Sequence, residues 1–433
     1  MQEFLFRFLT WAVRRAIRRE RPQIVAVAGS VGKTSTKLAV GVALGDFEPE
    51  SGTRSSTKNY NNELGVPLTI MNRQAPGRSV LAWLGTLMRA KMLAFGFGKI
   101  GATTLVLEYG TDHPGDLRHL ISIARPDVAV LTAIGAEHTE FFGSVEAVAD
   151  EEREIIRSLD ADGIAILNTD DQAVLAAKDE TKATVVTFGE SPDADVRLLS
   201  YRVAIDVQDP DASGLDIHIN TYGINAQFRI TGVFGKPHAL AVSAALAVII
   251  GLDHDIHAAI ERLREQYHGM IGRTRLVEGI KRTVLLDDSY NSSPLAALSA
   301  IRDLAAFPVQ EGCRRIAALG DMLELGAISR EAHEELGKVV AGAGIDMLVA
   351  CGTLAHVIRD AAIGAGMSED RAFAFAASPE AGLFIQERLR QGDVVLIKGS
   401  QGVRMEKVTK ELMAHPERAK DLLVRQSDEW EGT

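Results

Sequence analysis

Cysteine, uninterrupted apolar runs and an excess of basic residues are the three things that this sequence has little of. Its two cysteines, Cys313 and Cys351, lie far apart, which excludes a disulfide framework and a zinc ribbon. We expect both to be buried, in a reducing cytoplasm. The apolar run at 81–97 is interrupted by Arg89 and Lys91, so it is not suited to cross a bilayer. The formal net charge of −11 argues against a nucleic-acid partner.

The most informative stretch is residues 24–36, which read IVAVAGSVGKTST. A β-branched strand leads to two glycines, Gly29 and Gly32, and then to Lys33 and Thr34 at the start of an apolar helix. Backbone N–H groups of such a loop attract phosphate, the Lys33 ammonium can reach the β- and γ-phosphates, and the Thr34 hydroxyl can bind Mg²⁺. The stretch therefore predicts a site for a nucleoside triphosphate and Mg²⁺.

This loop is shorter than a Walker A sequence, because Val27 stands where that motif has its first glycine. The same loop contains Ser30 and Ser35, which we include in the predicted nucleotide site. The alternative is a tight glycine turn between strand and helix that binds nothing. That alternative leaves the Lys-Thr-Ser sequence at the helix start unexplained.

The order of apolar segments predicts an α/β protein with two parallel sheets. After the loop, strand-like runs at 104–109, 128–134, 164–167 and 184–188 alternate with helical patterns, and a small antiparallel appendage is expected at about 196–233. A second series of strands begins after residue 272. We predict a central P-loop-type ATPase domain at 23–271 and a C-terminal Rossmann-like domain at 272–433.

Residues 1–22 are predicted to form an amphipathic basic helix. Apolar residues recur at helical spacing between Phe4 and Ile17, and five arginines accompany them. We favour a helix that packs on the protein body. A helix that lies on a membrane surface is the alternative, because both need an apolar stripe.

Several polar residues follow the predicted strands and should meet at the edge of a sheet where ligands bind. Glu108 ends a strand and is a candidate Mg²⁺ ligand, and His138 follows the next strand. A lone loop histidine is more often structural. Glu152 lies in an acidic helical run, which alone would indicate a solvated face. In the second half, Asp288, Lys398 and Ser400 stand just after strands.

These segments together resemble the Mur ligases, ATP-dependent enzymes that join an amino acid or peptide to a carboxylate. The closest resemblance is to the MurF branch, which adds D-alanyl-D-alanine to a muramoyl tripeptide. The matching segments are residues 29–36, 57–69, 108–115, 134–144, 164–171, 272–273, 287–294, 320–326 and 395–406. So many motifs in family order are far more specific than the phosphate loop alone.

The resemblance implies a role for each matched residue. Lys33 and Thr34 would hold phosphates and Mg²⁺, and Glu108 and His138 would be metal ligands. Arg273 and Asp288 would reach the nucleotide from the C-terminal domain, where Lys398 and Ser400 would lie near the incoming amine. The resemblance also implies that Asn168 and Asp171 lie near the nucleotide, and that Asn59, Asn61, Asn62 and Glu63 lie near the acceptor.

The sequence departs from the family pattern at three places. Only about two dozen residues precede the phosphate loop, so we expect no N-terminal UDP-binding domain of the usual kind. Glu152 aligns with the family's carbamoylated lysine, and we expect its carboxylate to replace that group as a metal ligand and catalytic residue. The family's His-Asn pair becomes Pro237-His238, and an asparagine of a later motif becomes Ser293.

The function implied by the resemblance is carboxylate–amine ligation through an acyl phosphate, in the synthesis of cell-wall peptidoglycan precursors. The partners would be a small-molecule acid and an amino acid or dipeptide, bound by a cytoplasmic monomer. Peripheral membrane contact through the N-terminal helix stays open. Two alternatives also stay open: a Mur-like ligase for another acid, in cofactor or polyamide synthesis, and a nucleotide-binding scaffold without catalysis.

Overall fold

The structure is a computed structural model that describes residues 2–56, 60–206, 208–427 and 430. It confirms the predicted α/β class. Helices and strands alternate through most of the chain and build two separate sheets. The helices are α1 Gln2–Glu20, α2 Lys33–Ala43, α3 Gly65–Met71, α4 Val80–Phe95, α5 Asp116–Ile123, α6 Thr139–Phe142, α7 Val145–Arg157, α8 Gln172–Leu175, α9 Lys236–Gly251, α10 Ile256–Gln266, α11 Pro294–Ala306, α12 Ser329–Gly342, α13 Ala355–Gly364, α14 Ser378–Arg388, α15 Glu406–Leu412 and α16 Ala419–Leu422.

The first sheet has nine strands in the order β2-β3-β1-β4-β5-β6-β7-β8-β9. All pairs from β2 to β7 are parallel. Parallel strands of this kind are buried on both faces, which explains why they read as continuous apolar runs. The strands are β1 Gln23–Ala28, β2 Thr53–Ser55, β3 Thr104–Glu108, β4 Val128–Leu131, β5 Ile164–Asn168, β6 Thr184–Gly189, β7 Val196–Ala204, β8 Gly214–Thr221 and β9 Ile224–Thr231.

The antiparallel segment expected at 196–233 is part of this sheet. β7 pairs with β6 in parallel, and β8 and β9 follow as antiparallel neighbours. One face of these strands is apolar and packs in the same core as α9, with Leu215, Ile217 and Ile230 buried. The segment therefore extends the sheet instead of forming a separate unit.

Two helical layers cover the first sheet. Alternate residues of β1 point to opposite sides, so Ala26 joins the core with α1, α3, α4, α5 and α7, and Val25 joins the core with α2, α9 and α10. The apolar stripe of α1 is fully buried at Leu9, Ala12 and Val13. This packing favours the predicted docking of the N-terminal helix on the protein body over a free membrane-surface helix.

The second sheet has the order β10-β11-β15-β12-β13-β14. Only the edge pair of β10 and β11 is antiparallel, and the other neighbours are parallel. The sequence patterns did not indicate β10. The strands are β10 Arg275–Gly279, β11 Thr283–Asp288, β12 Arg315–Gly320, β13 Met347–Cys351, β14 Ala372–Phe375 and β15 Val394–Lys398.

Two further expectations have outcomes in the structure. Cys351 is buried in β13, but Cys313 is partly exposed in a loop, so the expectation of two buried cysteines is wrong for Cys313. Loop residues pack less densely because their backbone needs water or local partners. Across the described parts of the chain, no helix is both long and apolar enough to span a bilayer.

Candidate active site between the two sheets

The phosphate loop joins β1 to α2 in a conformation that requires glycine. Gly29 has φ of 123° and Gly32 has φ of 90°, values that side-chain-bearing residues rarely adopt. A Cβ on Gly29 would also collide with the Thr132 hydroxyl and with the carbonyl oxygen of Ala133. Ser30 connects the loop to the segment after β4, because its hydroxyl accepts a hydrogen bond from the N–H of Gly135 at 3.0 Å. The loop is thus held in a fixed conformation at the start of α2.

Lys33 is the first residue of α2, and its ammonium group is folded onto the loop. Nζ donates to the carbonyl oxygens of Gly29 at 2.5 Å and Ser30 at 3.2 Å. Burial alone would lower the pKa of Lys33, but the carboxylates of Glu137, Glu152 and Glu108 outweigh burial and raise that pKa. Lys33 therefore stays charged at the mouth of the loop, as a phosphate-binding lysine must.

Glu108 lies beside the loop at the end of β3. Its Oε1 accepts a hydrogen bond from the Thr34 hydroxyl at 3.0 Å, and its Oε2 lies 3.2 Å from Nζ of Lys37. Burial would raise the pKa of Glu108, but the charges of Lys37, Arg273 and Lys33 outweigh burial and lower it. An ionised carboxylate next to a hydroxyl provides the hard oxygen donors that Mg²⁺ prefers.

The four residues predicted to lie near the acceptor substrate have different surroundings. Asn61 borders the site and donates from Nδ2 to Glu108 at 3.2 Å. The side chain of Asn62 instead accepts from the N–H groups of Leu64 and Gly65 near the start of α3. Glu63 borders a second cavity beside α1. Asn59 lies outside the described residues.

Glu152 is buried in α7 directly under the phosphate loop. It is 1% exposed, so the alternative of a solvated acidic face is wrong. Its Oε2 accepts from the N–H of Gly29 at 2.8 Å, and its Oε1 accepts from the Thr111 hydroxyl at 3.1 Å. Burial raises the pKa of Glu152, and the nearby charge of Lys33 only partly offsets this. Its role as a metal ligand stays a prediction.

His138 stands where the two domains meet. Its Nδ1 lies 2.8 Å from a carboxylate oxygen of Glu324, in the loop after β12, and its Nε2 lies 3.4 Å from Asp112. Next to it, the Thr139 hydroxyl donates to the carbonyl of Leu325 at 3.1 Å. The contacts with Glu324 and Leu325 bridge the two domains. The predicted metal ligands Glu108, His138 and Glu152 each contact different residues.

The C-terminal domain contributes the opposite wall. Nζ of Lys398 lies 2.6 Å from Oδ2 of Asp288 in a buried ion pair and also donates to the carbonyl of Asn291. The Ser400 hydroxyl donates to the carbonyl of Ser292 at 3.1 Å. The guanidinium carbon of Arg273 lies 4.3 Å from the ring centre of Tyr290. Arg273, Asp288, Lys398 and Ser400 all border one cavity with the phosphate loop.

That cavity has a volume of about 710 Å³, which is sufficient for a nucleotide or a drug-sized ligand. Asn168 and Asp171 do not border it. Asn168 donates to the carbonyl of Thr132, and Asp171 accepts from the N–H groups of Ile134 and Ala173. These predicted nucleotide residues hold the backbone under the site, and their contact with nucleotide stays a prediction.

His238, at one of the departures from the family pattern, points into the core. Its Nδ1 lies 2.6 Å from the Tyr267 hydroxyl, and its Nε2 lies 3.2 Å from the carbonyl oxygen of Arg273. Burial lowers the pKa of His238 to about 4, so the ring is neutral at physiological pH. A neutral ring can donate from Nε2 to Arg273 and accept at Nδ1. The residue therefore supports the segment that carries Arg273.

The comparisons with known proteins agree with this geometry. Residues 86–249 match the family described as Mur ligase middle domain, and residues 272–401 match the family described as Mur ligase, glutamate ligase domain. The chain belongs to the Mur ligase family. Within that family it is a MurF-like, ATP-dependent ligase.

Individual Mur ligases match most of the chain. The UDP-N-acetylmuramoyl-tripeptide–D-alanyl-D-alanine ligase of Escherichia coli K12 is 28% identical over 409 residues, which cover 92% of this chain and 78% of that enzyme. MurF of Thermotoga maritima, solved in complex with ADP, superposes with a TM-score of 0.74 at 25% identity, covering 94% of this chain and 83% of that one. A MurF structure from Acinetobacter baumannii has a TM-score of 0.75 at 24% identity and 93% and 79% coverage, which shows the shared fold.

Sequence reasoning did not predict the ion pairs that Lys37 and Glu324 form in this Mur ligase site. Lys37 is fully buried four residues after Lys33, and a lysine at that spacing on an otherwise small and apolar helix could have signalled a buried partner. Glu324 pairs with His138 across the domain junction. Nothing in the local sequence indicates that partner, because the two residues come from different domains.

Proposed function

We propose that this Mur ligase joins D-alanyl-D-alanine to the free carboxylate of a UDP-muramoyl tripeptide in peptidoglycan precursor synthesis. The supporting observation is the single cavity that has the phosphate loop on one wall and Lys398 and Ser400 on the other. Such a cavity would let the reacting ends of a nucleotide, an acid and an amine meet. The names of the similar enzymes support this pair of substrates.

On the central-domain wall, the loop would hold ATP. The N–H groups around Gly32 would face the phosphates at the helix start. The Lys33 ammonium, which now bonds to the carbonyl oxygens of Gly29 and Ser30, would exchange them for phosphate oxygens. Gly29, Ser30, Thr34 and Ser35 complete this proposed phosphate site. Arg273 and Asp288 would contact the nucleotide from the other wall.

The residues present fit a Mg²⁺ ion next to the loop. Thr34 and Glu108 offer a hydroxyl and an ionised carboxylate 3.0 Å apart. The described residues contain no group of three or more His, Cys, Asp or Glu side chains that could enclose a metal, so the ion would complete its coordination with phosphate oxygens and water. When bound, Mg²⁺ would neutralise charge on the transferring phosphoryl group. Roles of His138 and Glu152 as ligands stay predictions.

The proposed reaction has two steps. An acceptor carboxylate oxygen attacks the γ-phosphorus of ATP, the bond to the β–γ bridging oxygen breaks, and ADP and an acyl phosphate form. The amine then attacks the acyl carbon, loses a proton and expels inorganic phosphate from the tetrahedral intermediate, leaving an amide. Phosphorylation is needed because a free carboxylate has no adequate leaving group. Lys33 would stabilise negative charge in the first step.

The acceptor and the amine would approach from different sides. Asn61 points at Glu108 next to the loop, so it can orient the acceptor carboxylate near the γ-phosphate. Lys398 and Ser400 lie on the C-terminal wall, where they would position the amine. Asp288, which pairs with Lys398 at 2.6 Å, would fix the direction of that ammonium group.

Ligation by the purified chain tests the proposal. The chain is incubated with ATP, Mg²⁺, UDP-muramoyl tripeptide and D-alanyl-D-alanine, and the amide is detected by mass while phosphate release is followed. We expect a product of the combined mass less water, and phosphate release that needs both substrates. Omitting each substrate in turn is the control.

A panel of other acids and amines distinguishes the proposal from a ligase for another acceptor. Product with a different acid, and none with the muramoyl tripeptide, would replace the proposed substrate. Absence of acceptor-dependent phosphate release would leave only nucleotide binding. We further propose a cytoplasmic monomer, which size-exclusion chromatography with light scattering checks.

A further inference from the structure

Helix α4 has an unusual outer surface. Its inner face packs in the core through Thr86, Ala90 and Leu93, yet its outer face is also apolar. The exposed side chains recur at helical spacing along a helix of 16 residues, about 24 Å long. They are Val80, Leu81, Leu84, Met88, Met92 and Phe95, with exposures from 39% to 81%, and the nearby Phe97 is 81% exposed. Contiguous apolar surface of this kind marks an interaction site.

Helix α1 lies beside α4 and adds positive charge to the same surface. The Trp11 ring lies 6.1 Å from the ring of Phe95, and Arg19 donates to the carbonyl oxygens of Leu93 and Gly98. Trp11 is 43% exposed. Around it, the outward residues of α1 are arginines that border a groove: Arg7, Arg14, Arg15 and Arg18. We call these arginines, Trp11 and the exposed residues of α4 the basic-apolar face.

The charge of this face is opposite to that of the whole chain. The net charge is −11, yet no acidic residue occurs between Glu63 and Glu108, nor between Glu3 and Glu20. The first of these two segments carries only basic charges: Arg73, Arg78, Arg89, Lys91 and Lys99. Basic charge together with exposed Trp, Phe and Leu side chains is the composition of protein surfaces that bind anionic lipid.

We propose that the basic-apolar face docks on an anionic lipid membrane. The apolar side chains of α4 would enter the interface, Trp11 would lie at headgroup depth, and the arginines would contact lipid phosphates. This assigns membrane contact to α4 as the inserting helix. Helix α1 cannot insert, because its own apolar stripe at Leu9, Ala12, Val13 and Ala16 is fully buried in the protein.

Charge favours lipid over a second copy of the chain as the occupant. A two-fold dimer through this face would bring together the four groove arginines of each copy, against one acidic side chain, Glu63, that borders the groove in each copy, and this excess of like charge is unfavourable. Glu20 is already paired with Arg19 at 2.7 Å. An anionic bilayer supplies the missing negative charge, and it also accepts the apolar stripe of α4.

Vesicle flotation with the full-length chain tests the proposal. Vesicles contain either equal parts of phosphatidylglycerol and phosphatidylcholine or phosphatidylcholine alone. We expect the chain to float with the anionic vesicles only, and raising NaCl from about 0.1 M to about 0.5 M should weaken binding. Substituting Leu81→Gln, Leu84→Gln and Met88→Gln together should weaken it at least about tenfold.

A charge variant and matched controls complete the test. Arg7→Gln, Arg14→Gln and Arg18→Gln together should lower affinity about a hundredfold, at roughly fivefold per charge. Controls elsewhere on the surface, Leu199→Gln with Leu383→Gln and Arg330→Gln with Arg359→Gln, should bind as the parent does. None of these residues borders the active-site cavity, so phosphate release without vesicles should be unchanged in every variant.

Three results would overturn the proposal. The parent chain could fail to float with anionic vesicles. The two triple variants could float as well as the parent. Sedimentation equilibrium could instead show a dimer that the apolar variant dissociates, which would assign the face to a second copy.

Discussion

Lys37 and Glu108 form a buried ion pair at the base of the phosphate loop. Nζ of Lys37 lies 3.2 Å from Oε2 of Glu108, and the two side chains are 0% and 1% exposed. The same carboxylate accepts from Thr34 at 3.0 Å. The lysine therefore holds a charged acid in place where the nucleotide and Mg²⁺ are proposed to bind.

Removing the cation alone should strongly destabilise the fold. We expect Lys37→Met to lower the free energy of unfolding by about 3–5 kcal/mol, because the buried carboxylate of Glu108 loses the cation that pairs with it directly. Lys37→Met combined with Glu108→Gln should regain most of this loss. Urea unfolding of the parent, the single variant and the double variant measures these free energies. An equal loss of unfolding free energy in the single and double variants would contradict the ion pair.

The pH dependence of the pair has a defined sign. The pKa of Glu108 in the folded protein lies below the ordinary value of 4.5, so its ionised form contributes stability at higher pH. That contribution is complete above about pH 4.5 and is lost as pH falls through the lower folded value. The Glu108→Gln variant should lack this part of the acid transition in melting temperature.

Lys33→Ala should abolish ligation while leaving the fold intact. The loop loses its cation for the phosphates, so we expect a fall in rate of at least about a hundredfold. The ammonium group also lies 3.6 Å from a carboxylate oxygen of Glu137 and offsets the buried charges of Glu152 and Glu108, so the melting temperature should fall, and activity is compared at a temperature where the variant is still folded. Lys182→Ala, at an exposed position, is the control, and near-parental turnover of Lys33→Ala would refute the site.

Glu152→Gln should separate activity from stability. Burial raises the pKa of Glu152, so folding loses stability as pH rises through that value and the carboxylate ionises. The neutral amide avoids this cost, and its oxygen can still accept from Gly29. We therefore expect unchanged or higher melting temperature at about pH 8, with the difference shrinking toward about pH 5.

If Glu152 is a metal ligand, ligation by the Gln variant should fall about a hundredfold or more and recover in part at raised Mg²⁺. A Glu152→Lys variant should regain activity only with bicarbonate. Parental rates across all Mg²⁺ concentrations would limit Glu152 to its hydrogen bonds with Gly29 and Thr111.

His238 should make the fold sensitive to mild acid. Its folded pKa of about 4 lies below the ordinary value of 6.5, so stability is complete above about pH 6.5 and falls as pH drops toward 4. The expected loss between about pH 7.5 and about pH 5 is about 2 kcal/mol. His238→Asn should start less stable, because it loses packing against Tyr267, yet decline less over this range. If the unfolding free energies of the parent and of His238→Asn fall equally with pH, His238 is not the group responsible for the acid sensitivity.

Packing of α1 is testable at a single residue. Leu9 is fully buried, so Leu9→Ala should lower the free energy of unfolding by about 2–5 kcal/mol. Arg14→Ala, on the outward side of the same helix, should change it by less than about 0.5 kcal/mol. Equal effects in denaturant unfolding would show that α1 is not docked as described.

Local pattern was sufficient to predict most of the two sheets. Parallel strands such as β4 and β15 are buried on both faces, so their residues are apolar without interruption and bounded by turns. The edge strand β10 was not predicted, because an edge position places few constraints on its residues. The pairing of β7 with β6 depends on tertiary contacts, which a local alternating pattern does not encode.

Site residues could be predicted where a suitable side chain stands at a telling place in the local pattern. Lys33 and Thr34 follow the glycine loop, and Glu108 ends a strand. Pairs such as Lys37 with Glu108 or His138 with Glu324 arise from residues far apart in the chain. Glu152 shows the limit of local reasoning. Its acidic neighbours indicate a solvated helix face, but the helix rotation places Glu152 inward, under Gly29.

The connector between the domains has a consequence for building chimeric enzymes. Gly269 and Gly272 both have positive φ, and a Cβ on the first would collide with Val233 and His238 of the central domain. A Cβ on Gly272 would collide with Val424 of the C-terminal domain. A chimera that exchanges C-terminal domains between related ligases must therefore keep the connector together with the residues that it contacts in both domains. A junction inside the connector would place one enzyme's glycines against the other enzyme's side chains, which differ in size and position.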